Sequence, residues 1–173
     1  MAVIEPVIEE GRLTFRFPDQ AIASKYDDWA HYRHQFNPAF GGTKAVDILY
    51  ADEMVGWLIE IKDYRVGCQI TAAELADVVA LKVRDTLAGL VSAKLHANDP
   101  DERRVATAML RCRTLRVVLH MEQPAKHSKL RPRAIDPAAV LIKLKGLLKA
   151  IDPHPCVVDQ STLKAEMKWE VEG

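Results

Sequence analysis

Leu13-Thr-Phe-Arg-Phe17 alternates apolar and polar residues, the two-residue period of a half-buried strand, and Pro18-Asp19 punctuates it. The period then lengthens. Ala21, Ile22, Lys25, Trp29, Tyr32 and Phe36 recur at three- and four-residue steps, which predicts a helix from Gln20 to about Phe36 with Asp19 as its N-cap. Asn37-Pro38 ends that segment, and Gly41-Gly42 makes a turn. Two runs rich in Val, Ile, Leu, Tyr and Trp follow, Lys44 to Tyr50 and Val55 to Asp63, and predict two strands joined by Ala51–Met54. Thr71-Ala-Ala-Glu74 has the form of a capping box and opens a helix to about His96. Its Leu75, Val78, Val79, Lys82, Thr86, Leu87 and Leu90 fall near one face. Asn98-Asp-Pro100 separates a shorter helix, about Asp101 to Cys112, and Thr114–Met121 reads as a buried strand. Asp136-Pro137 starts a helix that runs to about Ile151, with Pro at its first position. Short strands are expected at Cys156–Asp159 and Met167–Val171. Alternating strands and helices of this kind argue for one α/β sandwich over residues 1–173.

Three charges break the two central apolar runs. Asp47 interrupts Val46-Asp-Ile-Leu-Tyr50, and Glu60 and Lys62 interrupt Trp57-Leu-Ile-Glu-Ile-Lys62. Side chains alternate along a strand, so Glu60 and Lys62 share a face, about 7 Å apart, while Trp57, Ile59 and Ile61 share the other. A hairpin pairing puts Asp47 beside Glu60 on the charged face. A charge in so apolar a strand costs free energy unless it is paired or binds an ion. Two adjacent carboxylates suit an oxygen-liganded Mg²⁺ or Mn²⁺, and a lysine next to them supplies positive charge for an oxyanion.

Composition sets bounds on this picture. The chain has 173 residues, 49% hydrophobic and 28% charged, the balance of an ordinary globular domain. Its formal net charge is zero, so a nucleic-acid partner would need a local basic patch in place of a global field. The three cysteines are Cys68, Cys112 and Cys156; odd in number and far apart, they read as reduced thiols. No apolar run approaches the roughly 20 residues of a membrane span, and Met-Ala-Val-Ile-Glu-Pro lacks the pattern of a signal peptide. A cytoplasmic location without membrane contact is the expectation.

Asp47, twelve residues, then Glu60-Ile61-Lys62 resembles the signature of the PD-(D/E)XK nuclease superfamily. The order of helix, paired strands, long helix and strand resembles it too. The resemblance implies a restriction-endonuclease-like α/β sandwich, with a central mixed sheet flanked by helices. It implies a metal-dependent nuclease that hydrolyses phosphodiester bonds, DNA ahead of RNA, with Mg²⁺ or Mn²⁺ as cofactor. Asp47 and Glu60 would hold the metal with the backbone carbonyl of Ile61, and Lys62 would orient water or stabilise charge. A further acid from the first helix would be Asp28 or Asp27. Val46 stands where the motif has Pro, and Leu13–Phe17 would complete the strand meander from before the first helix. The alternative is an inactive descendant that serves as an interaction module, a subunit of a bacterial defence or toxin-type system.

Candidate phosphate contacts are Lys44 and Arg65, which bracket the motif, and Lys82, which interrupts the apolar stripe of the long helix. The basic loop adds Lys126, Lys129, Arg131 and Arg133. A homodimer or larger complex is a further expectation.

Overall fold

The structure, a computed structural model, describes residues 4, 6–39, 41–67, 70–124 and 135–173. It is a mixed α/β arrangement with two sheets and four α-helices among those residues. The strands are β1 (Val7–Glu10), β2 (Leu13–Arg16), β3 (Ile22–Lys25), β4 (Ile48–Asp52), β5 (Val55–Asp63), β6 (Thr114–Glu122), β7 (Cys156–Val158) and β8 (Glu170–Glu172). The helices are α1 (Asn37–Ala39), α2 (Ala72–His96), α3 (Pro100–Arg111) and α4 (Pro137–Leu147).

The larger sheet has the order β3-β4-β5-β6-β7, and the smaller has the order β1-β2-β8. β3, β4 and β5 are antiparallel neighbours, whereas β5-β6 and β6-β7 are parallel. A parallel pair needs a crossover, and α2 with α3 provides it between β5 and β6. Two apolar layers result. Leu49 and Leu58 pack with Leu75, Val79, Val83 and Leu90 of α2 on one face of the large sheet. Ile48, Tyr50, Trp57, Ile59 and Ile61 pack with Phe15 and Trp169 on the other, beneath the small sheet.

Local signals hold where they are strong. Thr71 and Glu74 make the capping box, each side chain bonded to the other's backbone N–H. Asp99 and Asp136 cap α3 and α4 ahead of Pro100 and Pro137. β5 spans the expected residues, while the strand expected from Lys44 begins only at Ile48.

The expected helix from Gln20 to Phe36 is corrected. Ile22–Lys25 is a strand, Tyr26–Asp28 is a 3₁₀ turn, and the chain is helical only from Ala30 on, with Tyr32–Phe36 in π form. β3 lies along the outer edge of β4, Ile22 opposite Ala51 and Lys25 opposite Ile48, and satisfies backbone groups that β4 would otherwise leave open. β3 therefore completes the meander; β2 belongs to the other sheet. No helix among the described residues is long and apolar enough to cross a membrane.

Candidate functional site

β4 and β5 pair with Ile48 opposite Ile59, so one further step brings Asp47 opposite Glu60. The Asp47 N–H donates to Ile59 O at 3.2 Å, which extends the ladder to that residue. Both carboxylates face α2. Glu60 is fully buried, and Asp47 is buried beside it. Ile61 enters through its amide: its N–H donates to Asp47 Oδ2 at 2.6 Å.

Two ammonium groups close on this pair. Lys62 Nζ lies 2.6 Å from Glu60 Oε1. Lys82 reaches down from α2 and donates to Glu60 Oε1 at 2.6 Å and Oε2 at 2.8 Å, with Asp47 Oδ1 at 3.5 Å. Lys82 therefore points into the carboxylates, the inward direction its place on an apolar stripe suggested. Burial, with the negative charge of Asp47, pushes the Glu60 carboxyl up to about 7, although both lysines pull the other way. Burial opposes the charge on Lys62, but Glu60 outweighs it and raises the ammonium above its ordinary range.

The further acid on this face is Asp27, while Asp28 is engaged elsewhere. Asp28 pairs with Arg33 and lies 3.8 Å from Lys25, at the surface. Asp27 sits in the field of Asp47: burial first and Asp47 next push its carboxyl up to about 6. Its Oδ1 is buried without a hydrogen-bond partner. The sequence offered no sign of the outer pair, Glu10 and Lys25, 2.7 Å apart across β1 and β3, because the two residues come from different sheets.

Within this network four carboxylates (Glu10, Asp27, Asp47, Glu60) face three ammonium groups (Lys25, Lys62, Lys82). One negative charge is in excess. Burial is the main cause of the raised carboxyls of Glu60 and Asp27, and this excess adds to it, since a bound proton relieves both. The donor set suits a divalent cation on charge and on the orphaned oxygen of Asp27. The seat between Asp47 and Glu60, however, is filled by the Lys82 ammonium. Among the described residues no three His, Cys, Asp or Glu side chains stand close enough together to hold a metal as they are placed.

The remaining candidates divide. Lys44 is exposed on the segment leading to Asp47, with its backbone N–H on Asp85 Oδ2 at 3.0 Å. Arg65 has partners within the chain. Asp63 holds its guanidinium at 2.8 Å and Gly173 O accepts from it at 2.7 Å, so it fastens the end of β5 to Gly173. Lys126, Lys129, Arg131 and Arg133 lie outside the described residues.

A cysteine–tRNA ligase of Neisseria meningitidis serogroup A / serotype 4A (strain DSM 15465 / Z2491) is 37% identical to this chain over 164 residues, 78% of the chain and 24% of the ligase. The chain thus spans about a quarter of that ligase's length. No family model and no solved structure matches it.

This likeness overturns the nuclease resemblance. Three motif residues are outweighed by an identity of 37% extended over most of the chain. Phosphodiester hydrolysis and the defence-subunit alternative rested on that motif and go with it; of the expected fold, the mixed α/β arrangement is what the structure shows. The charged cluster is a property of the structure and stands without them.

Proposed function

We propose that residues 1–173 form one module that engages tRNA in the cytoplasm, as a segment or companion of a protein of the cysteine–tRNA ligase kind. The observation that carries this reading is the 37% identity to such a ligase. Only a quarter of the ligase is matched, so engagement of tRNA is assigned to this chain and aminoacyl transfer is not. Exposed Lys44 offers a phosphate contact beside the cluster. Lys62 and Lys82 are engaged by Glu60 and Asp47 and serve to shape the site. RNA thereby replaces DNA as the nucleic-acid partner.

Binding of the purified chain to tRNA, to unstructured RNA of equal length and to duplex DNA, at two salt concentrations, tests the reading. tRNA should bind best, weaken with added salt, and weaken further in Lys44→Glu. Absence of tRNA binding at low salt, or equal binding to duplex DNA, would overturn it.

A second reading concerns the cluster itself and is favoured by the orphaned Oδ1 of Asp27. We infer that Mg²⁺ or Mn²⁺ enters in exchange for the Lys82 ammonium, held by Asp47, Glu60 and Asp27, with the Ile61 carbonyl as a further donor. The ion would supply the positive charge that the excess carboxylate lacks. Thermal stability of wild type and Lys82→Met with added Mn²⁺ tests it: the variant should gain more than the wild type. If neither midpoint moves, the cluster is metal-free.

A further inference from the structure

The outer face of α2 carries a stripe that the fold leaves uncovered. Asp77, Leu81, Arg84, Ala88, Val91 and Leu95 follow one another at alternating steps of four and three residues, the seam spacing of a coiled coil. The face opposite holds Leu75, Val79, Val83, Thr86, Leu90 and Ala93, all buried. Along the stripe Val91 is 51% and Leu95 63% exposed. A lone exposed apolar residue is ordinary; Ala88, Val91 and Leu95, exposed together on one face, mark a contact surface.

The two ends of the stripe differ in shape. At the C-terminal end Val91 and Leu95 stand out as knobs. At the N-terminal end Ala80 and Leu81 of α2, with Leu147, Leu148 and Ile151 at the end of α4, line an open groove. Exposed Lys94 flanks the knobs; the groove is flanked by Asp77, which meets Lys143 of its own chain, and by Arg84, which meets Asp85. In a two-fold contact the same patch must supply both halves of the fit. Knobs at one end and a groove at the other meet that condition when two copies of α2 lie antiparallel.

We propose that this face binds a second copy of the chain. α2 packs antiparallel on its counterpart about an axis near Asp85–Leu87. Val91 and Leu95 of each copy enter the groove of the other, and Lys94 of each approaches Asp77 of the other. Arg84 then crosses the small Ala88 of the second copy, where its stem finds room and its guanidinium stays wet. The seam from Leu81 to Leu95 spans about 21 Å at the helical rise per residue. The inference is independent of the proposed RNA partner.

Sedimentation of the purified chain over a range of concentrations is the test. The expected mass is that of two chains. Val91→Glu and Leu95→Glu should each return it to one chain while circular dichroism and the thermal midpoint stay unchanged, since both side chains lie outside the core. Lys94→Glu should weaken the pair, and adding Asp77→Lys should restore it, even though Asp77 also meets Lys143 of its own chain at 2.6 Å. A single-chain mass at every concentration overturns the proposal. So does a dimer that ignores the glutamates, and so does a charge reversal that fails to rescue.

Discussion

Lys82 on the long helix holds both carboxylate oxygens of Glu60 on the central strand, at 2.6 and 2.8 Å, and thereby ties the helical layer to the sheet by charge. Glu60 has no exposed surface, so the contact is one a buried anion requires. Lys82→Met removes the ammonium and leaves Glu60 with Lys62 alone. Stability should fall by about 2–3 kcal/mol, toward the low end for one broken member of a buried ion pair because a second cation remains. Urea unfolding at neutral pH measures it. An unchanged midpoint would mean that Lys62 suffices.

The Glu60 carboxyl also makes stability depend on pH. Its folded value is pushed up to about 7 by burial and by Asp47, against about 4.3 for an ordinary glutamate in the unfolded chain. Between these values the folded state holds the proton and the unfolded state has released it. The stabilising contribution of the neutral acid is therefore complete below about 4.3 and is lost as pH rises through about 7. Asp27, pushed up to about 6, acts with the same sign. The thermal midpoint should carry a downward contribution across this window, and Glu60→Gln should flatten that contribution. Identical profiles for the two proteins would remove Glu60 as its source.

Gly89 leaves room on α2 for Tyr26 of the 3₁₀ turn. A Cβ there would overlap the hydroxyl of Tyr26, with Tyr26 Cζ at 3.3 Å and Phe36 Cδ1 at 3.4 Å behind it. Gly89→Ala should cost about 1–3 kcal/mol, the usual range for overpacking, despite alanine's better helix propensity. The Tyr26 hydroxyl is buried without a hydrogen-bond partner, so Tyr26→Phe should be close to neutral. The double variant should recover part of the loss, which a double-mutant cycle reads directly. Additive effects would show that the hydroxyl is not what Gly89 accommodates.

Asp152, buried at the turn after α4, accepts from the backbone N–H of Val117 at 2.8 Å and of His154 at 2.9 Å. It joins the β6 edge to the approach of β7 where the short strand has few bonds of its own. Asp152→Ala strands two amides and should destabilise by about 2–3 kcal/mol. Hydrogen exchange at the Val117 amide should quicken accordingly. Unchanged protection would show that water replaces the carboxylate.

What the sequence determined by itself lies where short-range physics is decisive. The capping box at Thr71, the Pro-led starts of α3 and α4 and the whole of β5 come from caps, prolines and periodicity within a few residues. The two-residue strand period likewise put Glu60 and Lys62 on one face and Trp57, Ile59 and Ile61 on the other. Function was not legible at that range, because a three-residue charge pattern can be read without any knowledge of what else shares the chain. Tertiary structure alone decided that Ile22–Lys25 is a strand, since the open edge of β4 outweighs a helical spacing that nothing else supports. It alone decided that Asp27, and not Asp28, lies in the field of Asp47, because the turn from β3 aims one toward the sheet and the other toward Arg33. It also decided what faces the buried carboxylates. Lys82 is 22 residues from Glu60 in the chain, and only the packing of α2 on the sheet sets its ammonium between Glu60 and Asp47.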